Sequence, residues 1–111
     1  MRSLLYITFF FTSCSYNTIE NSTCNSDTPS FSECVDPIIV NECISCHSYG
    51  GSAEMLNLTI DVNIQESVLN GTLIERINSS TNPMPPGGKL PESSLEIINR
   101  WADNGALIDT P

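Results

Sequence analysis

The sequence predicts an all-α fold of short helices joined by long loops. Three observations carry that reading. Apolar residues recur at helical spacing around residues 39–46 and again around 95–102. No stretch alternates apolar with polar residues as a half-buried strand does, and no βαβ pattern occurs. Prolines and glycines crowd Asn82-Pro83-Met84-Pro85-Pro86-Gly87-Gly88, which can be neither helix nor central strand.

The elements follow in order. Residues 1–13 read as a targeting segment: Met1-Arg2, an apolar run from Leu4 to Phe11, then Thr12-Ser13. That run is too short to span a bilayer but suits the central region of a secretory signal. Residues 14–33 read as a flexible polar tether, because 15–32 are rich in Ser, Thr and Asn and lack apolar periodicity. Such a composition buries too little surface to offset chain entropy, and fully stretched it would reach at most ~60 Å. The folded domain is expected over 34–111. Asp36-Pro37 starts its first helix with a capping carboxylate and a proline at the first helical position. Ile39, Cys43 and Cys46 then share one face, and Tyr49-Gly50-Gly51-Ser52 ends the element. Leu56 and Leu58 are expected to enter the core from a loop. Asp61 caps a short helix to about Leu69, stopped at Asn70-Gly71, and Leu73, Ile74 and Ile77 mark another. The last helix runs from about Pro91 to Asn104, with Leu95, Ile98, Trp101 and Ala102 inward and Gly105 as terminator. No internal repeat is present.

Composition narrows the function classes. A domain this small gains only a few kcal/mol from its core and usually needs a disulfide, metal or cofactor. Five cysteines in 111 residues make such a staple the economical reading. Thirteen acidic residues against four basic ones, a formal charge of -9, argue against nucleic acid as a partner and against adhesion to anionic lipid. A basic or neutral protein face is the better match, although acidity often serves solubility alone.

No alanine precedes Ala53, so the usual small-residue cleavage site is absent. Phe11-Thr12-Ser13-Cys14 stands there instead and resembles a bacterial lipobox, with Phe11 where the pattern prefers Leu. The expectation is an exported, periplasmic or outer-surface protein held to a membrane by lipid on Cys14. The competing reading is an ordinary secretory signal with Cys14 a spare thiol. Either way disulfides persist in that compartment.

Cys43-Ile44-Ser45-Cys46-His47 has the C-x-x-C-H spacing of covalent haem attachment. Two thiols three apart on one turn can each form a thioether to one porphyrin edge, and the adjacent imidazole can then reach the iron. A thioredoxin-type redox pair would expect a βαβ setting. Zinc held by Cys24, Cys34, Cys43 and Cys46 is the strongest rival. Zinc leaves unexplained why the chain's only histidine follows Cys46 directly. With Cys14, Cys43 and Cys46 otherwise engaged, Cys24 and Cys34 remain as a possible disulfide.

One histidine excludes bis-histidine ligation within the chain, so a second axial ligand must come from elsewhere or the sixth site stays open. Met84, with a proline on either side, sits in a stiffened loop suited to presenting a thioether to the iron. Met55 is expected to be core filler. Lys89 and Arg100 are expected to be solvated charges rather than partners of haem carboxylates.

Residues 36–107 resemble a small monohaem cytochrome c domain of the His/Met-ligated, class I-like type found in bacterial exported lipoproteins. The resemblance rests on Pro37-Ile38-Ile39 before the C-x-x-C-H motif, on Met84-Pro85-Pro86, and on the segment from Leu95 to Ala106. It implies a small cytochrome c fold of three to five short helices wrapped around one covalent haem c, with His47 and Met84 as iron ligands. It also implies that Trp101 packs where the terminal helices cross or against the haem edge, and that Leu58 lines the pocket. Many relatives orient the haem histidine through a proline carbonyl, but no proline lies between His47 and Pro83. Another backbone carbonyl must serve. The function expected is single-electron transfer between redox proteins, alone or as a subunit of an oxidoreductase assembly, with no catalysis of its own. The alternatives are a haem sensor or enzyme subunit with an open sixth site, and a zinc-stapled binding module.

Overall fold

The computed structural model describes residues 24–109. The expected targeting segment 1–13, the expected lipidation site Cys14 and residues 14–23 of the expected tether lie outside the described residues. Within them the chain forms four α-helices and no strand: α1 (Asp36–Glu42), α2 (Asp61–Leu69), α3 (Thr72–Asn78) and α4 (Glu92–Asp103). None of these is long and apolar enough to cross a membrane.

The helical domain starts earlier than composition suggests. A wide π-type turn, Phe31–Val35, runs directly into α1, and the Ser30 side chain accepts a hydrogen bond from the Glu33 N–H at its start. Asp36 is thus inside a continuing helix rather than capping a new one, and Pro37 sits in its first turn. Phe31, Val35 and Ile39 recur every four residues, and all three are buried. They form the stripe that meets α4, whose Leu95, Ile98 and Trp101 are buried at matching three-residue steps. Phe31 and Trp101 touch with ring centroids 5.3 Å apart. The polar tether expected over 14–33 therefore does not extend to 33: Phe31 is only 3% exposed, because an aromatic ring at this position has a core to enter.

Three further ties hold 24–30 to the domain. Cys24 and Cys34 form a disulfide. Arg100 donates to the Asn25 carbonyl at 3.3 Å, and Asn104 to the Asp27 carbonyl at 2.6 Å. In the chain-entropy account, closing a loop of this length stabilises by about 3 kcal/mol. A Cys24→Ser/Cys34→Ser variant is expected to lose about that much in urea unfolding. A loss below about 0.5 kcal/mol would mean that the unlinked segment is held as well without the bond.

The C-terminal segment closes the same end. Gly105, at φ 97°, turns the chain out of α4 in a conformation that side chains resist. Asp109 then accepts hydrogen bonds from the backbone N–H of Phe31 (2.6 Å) and Ser32 (3.1 Å) and from the Ser32 hydroxyl (2.6 Å). It satisfies amides that a helix start leaves free. The Ser32 hydroxyl first, and then the Ser32 N–H, lower the Asp109 pKa; desolvation opposes them, and the Phe31 N–H adds a smaller lowering. A carboxyl depressed on folding contributes stability above its ordinary range near ~4, and that contribution is lost as pH falls through the lowered value. Asp109→Ala should therefore lower the melting temperature at neutral pH. The gap to wild type should close progressively on acidification, as thermal melts across a pH series would show.

α2 and α3 fill the other side, joined through Gly71, and α3 packs on α4. Ile64, Val68 and Ile77 join the α1/α4 core. The Asn78 and Asn99 amides exchange hydrogen bonds at 3.0 and 3.2 Å, fixing α3 to α4.

Candidate functional site

α1 ends at Glu42, and the cysteine motif follows in tight turns rather than on a regular helix. The backbone still coils: the Cys43 and Ile44 amides donate to the Ile39 carbonyl, and the Cys46 and His47 amides to the Cys43 carbonyl. This winding brings Cys43, Cys46 and His47 to one cavity. Its other walls come from Ile39 of α1, Leu73, Arg76 and Ile77 of α3, Ile98 of α4, Leu58, and the loop of Met84, Pro85 and Pro86. The cavity measures about 480 Å³, within the ~300–1,000 Å³ usual for cofactor sites, and its walls are overwhelmingly apolar.

The loop after the motif folds back on it. Ala53 N–H donates to the Cys46 carbonyl at 2.9 Å, and Leu58 N–H to the His47 carbonyl at 2.8 Å. Gly51 lies so close to the Cys46 carbonyl that a Cβ there would collide with it. This return brings the Leu56 carbonyl to 3.0 Å from His47 Nδ1. A carbonyl only accepts, so Nδ1 is the donor, and the neutral form of the ring has its lone pair on Nε2. Leu56 thus supplies the orienting carbonyl, a backbone role that no residue identity announces. Its side chain is 37% exposed, lining the cavity rather than joining the core as expected. Leu58 is buried and lines the cavity.

Cys43 and Cys46 are free thiols. Burial, and then the Glu42 carboxylate, push the Cys43 thiol up to about 11, so at neutral pH it is protonated. Disulfide-exchange enzymes depend on the opposite displacement. The four-cysteine zinc arrangement is not assembled either, since Cys24 and Cys34 are spent on each other. Among the described residues no group of three or more His, Cys, Asp or Glu side chains is placed to share a metal ion.

Met84 lines the same cavity as the motif. Its N–H donates to the Arg76 carbonyl at 3.1 Å, which pins the proline-rich loop to the end of α3. Met55 is fully exposed and not core filler, because the returning loop turns it outward. Arg100 pairs with Glu96 at 3.4 Å, and Lys89 does not line the cavity. The cation that does is Arg76. Its Nε is buried without a hydrogen-bond partner, although an unpaired buried donor costs about 1–3 kcal/mol. In the sequence Arg76 falls among ordinary helix positions. Its place one turn after Leu73 and beside buried Ile77 was the available signal.

No protein-family model, curated protein or solved structure matches this chain.

Proposed function

We propose that the protein is a single-electron carrier with one covalently attached haem c, in an exported, membrane-anchored cytochrome. The observation that carries this reading is the convergence of Cys43, Cys46, His47 and Met84 on one apolar cavity, with the imidazole already held in the metal-binding tautomer. The residues present fit a porphyrin. Apolar walls suit its ring, free thiols suit its vinyl groups, and the unpartnered Arg76 Nε suits one of its carboxylates.

When bound, the haem supplies an iron that exchanges single electrons. Cys43 and Cys46 would hold the ring by thioethers, and His47 would present Nε2 to the metal. The Leu56 carbonyl strengthens and orients that ligand through Nδ1. Met84 offers a soft thioether, which favours the reduced metal and raises the potential. With the ring seated in it, the apolar lining would limit the reorganisation that a change of charge demands. Met84 at the cavity wall supports a carrier over a sensor or enzyme subunit with an open sixth site. The Cys24–Cys34 disulfide counts against a zinc-stapled module.

The test is an absorption spectrum of the exported protein, oxidised and reduced, with an intact mass. The expected result is a red protein heavier than its lipid-bearing polypeptide by one haem. Colourless material with no mass beyond polypeptide and lipid would end the reading.

A further inference from the structure

The returning loop shows a second feature on its outer side. Tyr49 is 93% exposed and Met55 completely so, and neither lines the cavity. Isolated exposed apolar residues are common on any surface. These two belong to one closed loop whose arms are bound together: Gly50, next to Tyr49, donates its N–H to the carboxylate of Glu54, next to Met55, at 2.8 Å. The loop is also tied to the cysteine motif by the Ala53–Cys46 bond and to His47 by the Leu56 carbonyl. A surface already held in shape loses little entropy when a partner covers it. Tyr and Met are also among the side chains enriched at interface centres.

Charge identifies the partner's chemistry. From Ser3 to Glu75 the chain contains no Lys or Arg; the exposed acid Glu54 lies in the loop itself, and exposed Glu42 ends α1 directly before the cysteine motif to which the loop is tied. A second copy of a chain carrying -9 would be repelled, and anionic lipid likewise. A lysine-rich protein face would be attracted.

We propose that loop 48–56 is the docking surface for a positively charged redox protein, with Tyr49 and Met55 at the centre of the contact and Glu42 and Glu54 at its rim. This rests on the electron-carrier reading. The loop also has a property that an arbitrary patch lacks. Met55 is bonded directly to Leu56, whose carbonyl holds the His47 imidazole, so the contact centre lies one residue and one hydrogen bond from the metal-binding ring.

The test uses the haem-loaded, ¹⁵N-labelled protein titrated with a lysine-rimmed, mitochondrial-type cytochrome c as probe. At low salt, amide shifts should concentrate in 48–56 and at Glu42. They should fade as added salt shortens the screening length to about 3 Å at 1 M. A Tyr49→Ala/Met55→Ala variant should bind about ten-fold more weakly. Val62→Ala/Leu69→Ala, which trims exposed apolar residues of α2, should bind as wild type does. Shifts centred elsewhere, equal weakening by both variants, or no weakening by the loop variant would overturn the proposal. Binding undiminished by salt would overturn the choice of a basic partner. A preparation lacking haem absorption before any probe is added would instead refute the electron-carrier reading, so the two failures are distinguishable.

Discussion

Replacement of Trp101 by alanine is expected to lower the unfolding free energy by about 3–5 kcal/mol, a large share of the ~5–15 kcal/mol available to a domain. Trp101 is 2% exposed and lies where α4 meets the π-type turn, in contact with Phe31. Its Nε1–H donates to the Leu107 carbonyl at 2.9 Å, and its own carbonyl accepts from the Ala106 N–H at 3.0 Å. Truncation would leave a cavity between Phe31 and α4 and strip the Leu107 carbonyl of its donor. The chain after α4 would then be held less firmly. Trp101→Phe keeps most of the ring volume and loses the Nε1 donor, so it should cost less. Urea unfolding followed by circular dichroism would rank the two. A loss below about 1 kcal/mol for Trp101→Ala would show that the crossing is not the centre of the core.

The second large effect is expected at Met84. If the chain carries haem as proposed, Met84→Ala should abolish the sulfur-to-iron charge-transfer absorption band and lower the reduction potential. The loop itself should survive the substitution. It is tied to α3 through the Met84 N–H and the Arg76 carbonyl, a backbone bond that alanine also makes. The experiment therefore separates the loss of a ligand from the loss of a loop. An unchanged band and potential would remove Met84 from the proposed iron site while leaving the proposal of attachment at Cys43 and Cys46 untouched.

Much of the helical layout was legible from spacing alone. Leu95, Ile98 and Trp101 read as an inner face because three-residue steps keep one side of a helix in register, and all three are buried. Asn70-Gly71 read as a break, and α2 and α3 are separated there. Phe31 was missed because Ser, Thr and Asn surround it. The corrective signal was its four-residue step to Val35 and Ile39. Leu56 as the partner of His47 was illegible in principle, since a main-chain carbonyl leaves no trace in residue identity. The approach depends on a turn that Gly51 permits and on contacts between residues far enough apart that spacing does not report them. Arg76 was hidden for a related reason. Only the three-dimensional arrangement turns a helix-surface cation into one whose Nε lies buried without an acceptor.

The clasp made by Asp109 on Phe31 and Ser32, with the Asn104 contact to Asp27, has an architectural consequence. Both ends of the described chain emerge at one pole, and none of these clasp residues lines the apolar cavity. Neighbouring termini let a domain be spliced into a longer polypeptide, or its original ends be joined and new ones opened elsewhere, without unravelling the core. A fluorescent protein or purification handle inserted next to Asp109 would therefore sit at this pole, away from the residues that line the cavity.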